Sequence, residues 1–208
     1  MIKRLFDFVT AAIAVLVLSP LLLIVALAVR LTSRGPVFFC QERIGRGFRP
    51  FQIYKFRSMV RDAPKRGSLV TFGADPRITK VGRILRATKV DELPQLINVL
   101  VGDMSFVGPR PEVRHYVELF RDDYAEILRV RPGITDPASI KFRNEAEILG
   151  HSQDPEREYV ERILPEKIRL GKEYAKNSSL WHDFIIMLRT IHVVGRGTRE
   201  YRVPPLHP

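Results

Sequence analysis

Residues 8–29 read FVTAAIAVLVLSPLLLIVALAV. These 22 residues carry no formal charge, and a helix of that length is enough to cross a hydrocarbon core of roughly 30 Å. The run is too long for a signal peptide and no small-x-small cleavage site follows it, so the segment is expected to stay on the protein. Its flanks give no clear direction of crossing. Lys3 and Arg4 precede it while Arg30 and Arg34 follow it, and the preference of basic residues for the cytoplasm pulls both ends the same way. Near the midpoint, Ser19-Pro20 places a residue without an N–H inside the helix, next to a hydroxyl able to bond a freed carbonyl, which predicts a kink. Two readings stay open: an ordinary spanning helix with a tolerated proline, and a re-entrant helix that enters the membrane and turns back.

Outward from this segment, the 208 residues suit one domain of ordinary size with an appended anchor. The single cysteine, Cys40, cannot form an intramolecular bridge and reads as a strand residue of a domain folded in a reducing compartment. Lys and Arg number 34 against 23 Asp and Glu, a formal charge of +11, so the partner is expected to be anionic. The five histidines are scattered without the paired spacings of zinc sites.

The chain is expected to divide into a membrane helix over 1–34, a main domain over 35–194 and a polar, proline-rich tail over 195–208. Val37–Gln41 and Phe51–Phe56 flank Gly45-Arg46-Gly47 and read as a hairpin, with Lys55 and Arg57 on one face. Gly45-x-Gly47 is discarded as a phosphate loop because no helix pattern follows it. Arg61–Arg77, rich in Gly, Pro and Asp, reads as a long loop or flap. Arg77–Val90 has helical spacing with a basic face. Leu93, Leu96, Ile97 and Leu100 then mark a short helix that Gly102 ends in a left-handed conformation. Two amphipathic helices are expected at Val160–Leu170 and Leu180–Val194. In the second, Trp181, Phe184, Leu188 and Ile191 form a stripe that suits either a membrane interface or a core. The fold class is therefore mixed α/β.

Asp91-Glu92-Leu93-Pro94 sits at a helix start, where a carboxylate is favoured by unpaired N–H groups. The same pair could hold a divalent metal against a diphosphate, and spacing alone does not choose. Arg110, fixed between Pro109 and Pro111, presents a planar fork suited to phosphate oxygens, or is simply an exposed turn residue.

Four segments carry a resemblance. Lys55-Phe56-Arg57-Ser58-Met59, Asp91 through Leu100, Gly102-Asp103-Met104-Ser105 through Gly108-Pro109-Arg110-Pro111, and Arg131-Pro132-Gly133-Ile134-Thr135 resemble, in order and spacing, the bacterial sugar transferases, the monotopic phosphoglycosyl transferases. The likeness runs from Ser19-Pro20 to about Thr135 and weakens beyond. It implies a re-entrant helix broken at Ser19-Pro20 and a small cytosolic domain seated on the inner membrane by amphipathic helices. It also implies a Mg2+-dependent transfer of a sugar 1-phosphate from a UDP-sugar to undecaprenyl phosphate. By the same resemblance Asp91 is the nucleophile and Glu92 orients the metal or acts as base. Lys55, Arg57, Arg86 and Arg110 are then the cations that bind substrate, since a carboxylate attacks phosphorus only when the phosphate charge is neutralised.

The chain departs from the common family pattern in three places. Asp136-Pro137-Ala138-Ser139-Ile140 replaces the usual Gly-Trp and glutamine, Lys89 stands where a serine is frequent, and Gly171 where some members have an aspartate. The rival reading is a membrane-anchored anion- or nucleic-acid-binding protein without catalysis. No nucleic-acid motif accompanies the charge, and no nucleic acid is expected as a partner.

Overall fold

The computed structural model describes residues 2–63, 71 and 75–195. Much of the expected flap, and the tail beyond 195, lie outside the described residues.

The first helix, α1, spans Ile2–Thr32 and runs through Pro20 without interruption. Pro20 has no N–H for the Leu16 carbonyl, and the Ser19 hydroxyl donates to that same carbonyl at 2.8 Å, replacing the missing backbone donor. The rest of the protein packs along one stripe of α1. Asp7, Ala11, Val25 and Val29 are buried, and Leu22 packs against the cluster that Val25 and Val29 form with Phe56 and Leu85. These positions recur at three- and four-residue intervals, one face of a helix. The other face, including Leu16, Val17, Leu23, Ile24 and Leu31, is exposed and apolar.

Polar contacts hold both ends of α1. Lys3 donates to the Val107 carbonyl at 3.1 Å and pairs with Asp183. Arg4 donates to the Val99 and Leu100 carbonyls at 2.5 and 2.7 Å. At the far end the Arg57 guanidinium donates to the Ser33 carbonyl and hydroxyl at 2.7 and 2.6 Å, and to the Pro36 carbonyl.

The hairpin is β1 (Phe38–Ile44) antiparallel to β2 (Pro50–Phe56), with Phe39 opposite Lys55. The first strand runs three residues past the expected Gln41, because Glu42, Arg43 and Ile44 find partners in Gln52, Phe51 and Pro50. Helix α2 is Lys80–Ala87, shorter than its periodicity predicts. The Thr79 hydroxyl caps its start, accepting from the Gly82 N–H at 2.9 Å. Lys89, at φ 59°, stops the helix and sends the chain into a 3-10 turn over Val90–Glu92. A side chain at Gly82 would overlap the Ser58 backbone, so α2 rests directly on the chain leaving β2.

Helix α3, Gln95–Val101, ends at Gly102 with φ 95° as expected. From α3 the buried Asn98 amide donates to the Gln52 carbonyl at 2.7 Å and accepts from the Tyr54 N–H at 3.0 Å. One side chain thus acts as a third strand on the open edge of β2.

A second two-stranded sheet pairs β3 (Ser105–Val107) in parallel with β4 (Gly133–Thr135). Helices α4 (Arg114–Leu119) and α5 (Arg121–Ile127) lie between them in sequence. Then follow α6 (Pro137–Lys141), α7 (Glu145–Gly150), α8 (Pro155–Glu158), a π turn over Tyr159–Ile163, α9 (Leu164–Asn177) and α10 (Leu180–Gly195). The largest core joins Tyr116, Tyr124, Ile127, Leu149, Leu164 and Ile168.

The two expected amphipathic segments differ in outcome. Ile163, Leu164 and Ile168 of the first are core residues. In α10, Asp183 and Ile186 face inward while Trp181, Phe184, Leu188 and Ile191 are exposed. That stripe is not core.

Candidate active site

The site assembles where the 3-10 turn over Val90–Glu92, β2, α2 and the end of β3 converge. Arg110 is held by its backbone. The Gly108 N–H donates to the Thr135 carbonyl at 3.0 Å, the Gly133 N–H to the Pro109 carbonyl at 3.1 Å, and the Arg110 N–H to Asp136 Oδ2 at 3.3 Å. The two motifs that carry Gly108-Pro109-Arg110 and Pro132-Gly133 are therefore one structural unit. Its product is a guanidinium aimed at Glu92, donating to Oε2 at 3.1 Å and Oε1 at 2.5 Å. Lys55, on β2, reaches the same Oε1 at 3.1 Å. Arg86, on the last turn of α2, donates through Nε to Ser58 Oγ at 2.9 Å.

Asp91 is 6% exposed, and its Oδ1 is enclosed without a hydrogen-bond partner among the described residues. Burial, and then the charge of Glu92, push its carboxyl above the ordinary value, while Lys55 and Arg86 oppose that shift. Glu92 behaves oppositely. Burial works to raise it, but Arg110 and Lys55 together outweigh burial and hold it well below the usual carboxylate range. Burial brings Lys55 down to about 8 even with Glu92 beside it. Two neighbouring acids are thus set apart by their surroundings: Glu92 inside a cationic clamp that favours its ionised form, and a buried Asp91 with one oxygen to spare.

A cavity of about 780 Å³ opens onto these groups, within the ~300–1,000 Å³ range of pockets that enclose small molecules. Lys55, Arg86, Asp91, Glu92 and Arg110 all line it. Arg57 does not. The strand ends at Phe56, so the alternation that would put Arg57 beside Lys55 stops there, and its guanidinium is spent on the carboxyl-terminal end of α1. Sequence reasoning placed Arg57 at the substrate; the structure makes it a helix clamp.

The cavity also has walls that were not legible in the sequence. Ala14 and Leu18 of α1 line it, as do Arg43, Glu112 and Tyr159. Glu112 accepts from the Tyr159 hydroxyl at 2.6 Å and pairs with Arg43 at 3.4 Å. Glu112 follows the Arg110-Pro111 motif directly and could have been suspected from that position. Nothing in the local sequence of Tyr159 marks it. From the divergent segment Asp136 and Ser139 reach the cavity as well, with Asp136 Oδ1 capping α6 by accepting from the Ser139 N–H at 2.7 Å.

For a divalent cation the two acids fit unequally. The partnerless Asp91 oxygen suits a metal that takes one or two carboxylates and fills its remaining positions with phosphate oxygens and water. Both Glu92 oxygens are engaged by Arg110 and Lys55.

Together these features define a class: an α/β protein built along a long apolar helix, with a carboxylate-and-cation cavity suited to a phosphorylated ligand. The chain belongs to the bacterial sugar transferase family, which it matches over residues 1–197. It is 40% identical over 199 residues to the UDP-N-acetylgalactosamine-undecaprenyl-phosphate N-acetylgalactosaminephosphotransferase of Aeromonas hydrophila, covering 94% of this chain and 44% of that protein. UDP-glucose:undecaprenyl-phosphate glucose-1-phosphate transferases are similar too. The one from Caulobacter vibrioides is 40% identical, over 91% of this chain and 68% of its own length. The one from Escherichia coli K12 is 41% identical, over 92% and 39%. The chain thus spans less than half the length of two of these three relatives.

Proposed function

We propose that the protein transfers a sugar 1-phosphate from a UDP-sugar to undecaprenyl phosphate at the cytoplasmic face of a bacterial inner membrane. The observation that carries this reading is the composition of one cavity. It joins Asp91, Lys55, Arg86 and Arg110 to Ala14 and Leu18 of the apolar helix. A polar nucleotide and a membrane lipid can meet there.

In the first half-reaction an Asp91 carboxylate oxygen attacks the β-phosphorus of the donor. The bond from that phosphorus to the bridging oxygen breaks, UMP leaves with the bridging oxygen, and the phosphosugar is held as an acyl phosphate. In the second, an oxygen of the lipid phosphate attacks the same phosphorus, and the acyl-phosphate bond breaks. Asp91 is restored and the product is a polyprenyl-diphosphate sugar. Arg110 and Lys55, with Glu92 setting their positions, face the charge that develops on the phosphate, and Arg86 lies on the Asp91 side. A magnesium ion held by Asp91 and the donor phosphates would supply further charge neutralisation.

The membrane seating is part of the proposal. Both ends of α1 are tied to one domain, Lys3 and Arg4 at one end and Ser33 at the other. A single domain cannot lie on both sides of a bilayer, which favours a helix that returns to the side it entered. The exposed apolar faces of α1 and α10 would meet lipid.

The test is UMP release from a panel of UDP-sugars with magnesium, with and without undecaprenyl phosphate, beside Asp91→Asn. Turnover that requires the lipid, and falls by roughly 10³-fold or more in the variant, is expected. UMP release that continues without lipid would identify a hydrolase, and an active Asp91→Asn would remove Asp91 from the mechanism.

A further inference from the structure

A second cavity, of about 240 Å³, lies at the start of α1. Its charged lining is Lys3, Arg4, Asp7, Arg46, Arg129 and Arg131, none of which lines the catalytic cavity. The charges do not cancel. Lys3 is neutralised by Asp183. Arg4 and Arg131 donate only to carbonyl oxygens, those of Val99, Leu100 and Gly102, so their charge remains. Asp7 accepts from Ser105 Oγ at 3.1 Å and the Phe106 N–H at 3.3 Å. The guanidiniums of Arg46 and Arg129 are exposed and donate to no described residue. Glu126, which feels the charge of Arg129, is already held by Lys172 and Lys176. Within the lining, four arginines therefore face one occupied carboxylate, an arrangement that repels itself unless an anion sits among them.

Size and position narrow the anion. The cavity is smaller than the ~300–1,000 Å³ of pockets that enclose drug-sized ligands, so a nucleotide sugar does not fit, whereas a phosphate group does. Ile2, Leu5 and Phe8, beside Lys3 and Arg4 in α1, are exposed apolar residues. Ser178, also on the lining, leads directly into α10, whose Leu180 and Trp181 are exposed. The cationic cavity thus sits where two apolar surfaces begin, the level at which a lipid phosphate lies when those surfaces are in hydrocarbon.

We propose that this cavity binds the phosphate of an anionic membrane phospholipid, separately from either substrate. The assignment of a lipid as the source rests on the membrane seating proposed above.

The experiment uses the detergent-purified full chain in native mass spectrometry, offered equal amounts of phosphatidylglycerol and phosphatidylcholine. The wild type should retain phosphatidylglycerol with about tenfold preference, and Arg46→Gln/Arg129→Gln should lose most of it. These two exposed side chains donate no hydrogen bond to a described residue, and Arg129 acts on its own helix neighbourhood only through the charge of Glu126. Lys80→Gln/Arg83→Gln removes the same charge from exposed positions on α2 and should keep the preference. Equal retention of the two lipids by the wild type, or equal loss in both double variants, would overturn the site. Displacement of the lipid by an equal concentration of inorganic phosphate would make it a free-anion site and overturn the lipid assignment. Flotation on phosphatidylcholine vesicles reads the seating independently. A chain that fails to float yet keeps the preference loses the membrane reading and retains the site.

Discussion

Arg110 grips the Glu92 carboxylate through both of its terminal nitrogens, at 3.1 and 2.5 Å, while Lys55 takes the remaining side of Oε1 at 3.1 Å. The carboxylate is the hub that keeps two cations together in a buried place, where they would otherwise repel each other. In the proposed mechanism its contribution would be positional, made through those two cations, besides the direct effect of its charge on Asp91.

Glu92→Gln should therefore lower kcat by roughly 10²–10³-fold. It should also move the pH profile. Lys55 sits near 8, so activity that needs its ammonium is present below that pH and lost as pH rises through about 8. Glu92 raises Lys55, and removing its charge lowers Lys55 further. The alkaline limb of the pH–rate profile in the variant should shift to lower pH. An unchanged limb would show that Lys55 is not the group that titrates.

Arg57 offers a contrast with Arg110. Arg57→Lys keeps the charge but loses the fork that reaches the Ser33 carbonyl and hydroxyl and the Pro36 carbonyl. A loss of about 2–3 kcal/mol in stability is expected, read by denaturation in detergent, with KM for the donor unchanged. A raised KM without loss of stability would return Arg57 to the substrate.

Asn98→Ala leaves the Tyr54 N–H and the Gln52 carbonyl without their side-chain partner on the part-buried edge of β2. The cost should be about 2–4 kcal/mol. Asn98→Asp should be only partly better, because it restores the acceptor for Tyr54 and not the donor for Gln52. Comparing the thermal midpoints of the two variants checks this.

Glu166 joins α6 to α9. It accepts from Lys141 at 2.8 Å and from Arg169 at 2.8 Å, and these bonds hold its carboxyl down at about 2. A depressed carboxyl contributes stability that is present above its unfolded value, about 4.3, and is lost as pH falls toward 2. Partial exposure screens the pair, so Glu166→Gln should cost about 1 kcal/mol at pH 7. The gap between variant and wild type should close between about pH 4.3 and 2. A gap that persists at pH 2 would mean that packing, not charge, is responsible.

Local rules account for much of what could be read in advance. The apolar helix, the hairpin, Gly102 as a left-handed stop and the apolar stripe of α10, though not its exposure, depend on composition, periodicity or backbone sterics within a few residues of chain. Helix ends were harder. The periodicity over Arg77–Val90 continues past both ends of α2, and what stops it is Thr79 as a cap and Lys89 in a left-handed conformation, choices that compete weakly with helix propensity until neighbours act on them.

Read alone, the sequence supplies an inventory: a 22-residue uncharged segment, an excess of cations, and Asp91, Glu92, Lys55, Arg57, Arg86 and Arg110 as candidate groups for a phosphate. Their division among tasks came with the packing. It gave Arg57 to the end of α1 and Arg110 to Glu92, left one Asp91 oxygen unpartnered, and brought Ala14 and Leu18 to the wall of the same cavity. The difference is one of range. Propensity and charge act along the chain, whereas a carboxylate's partners and its desolvation are set by groups tens of residues away, brought together when β3 pairs with β4 and α1 packs along the domain.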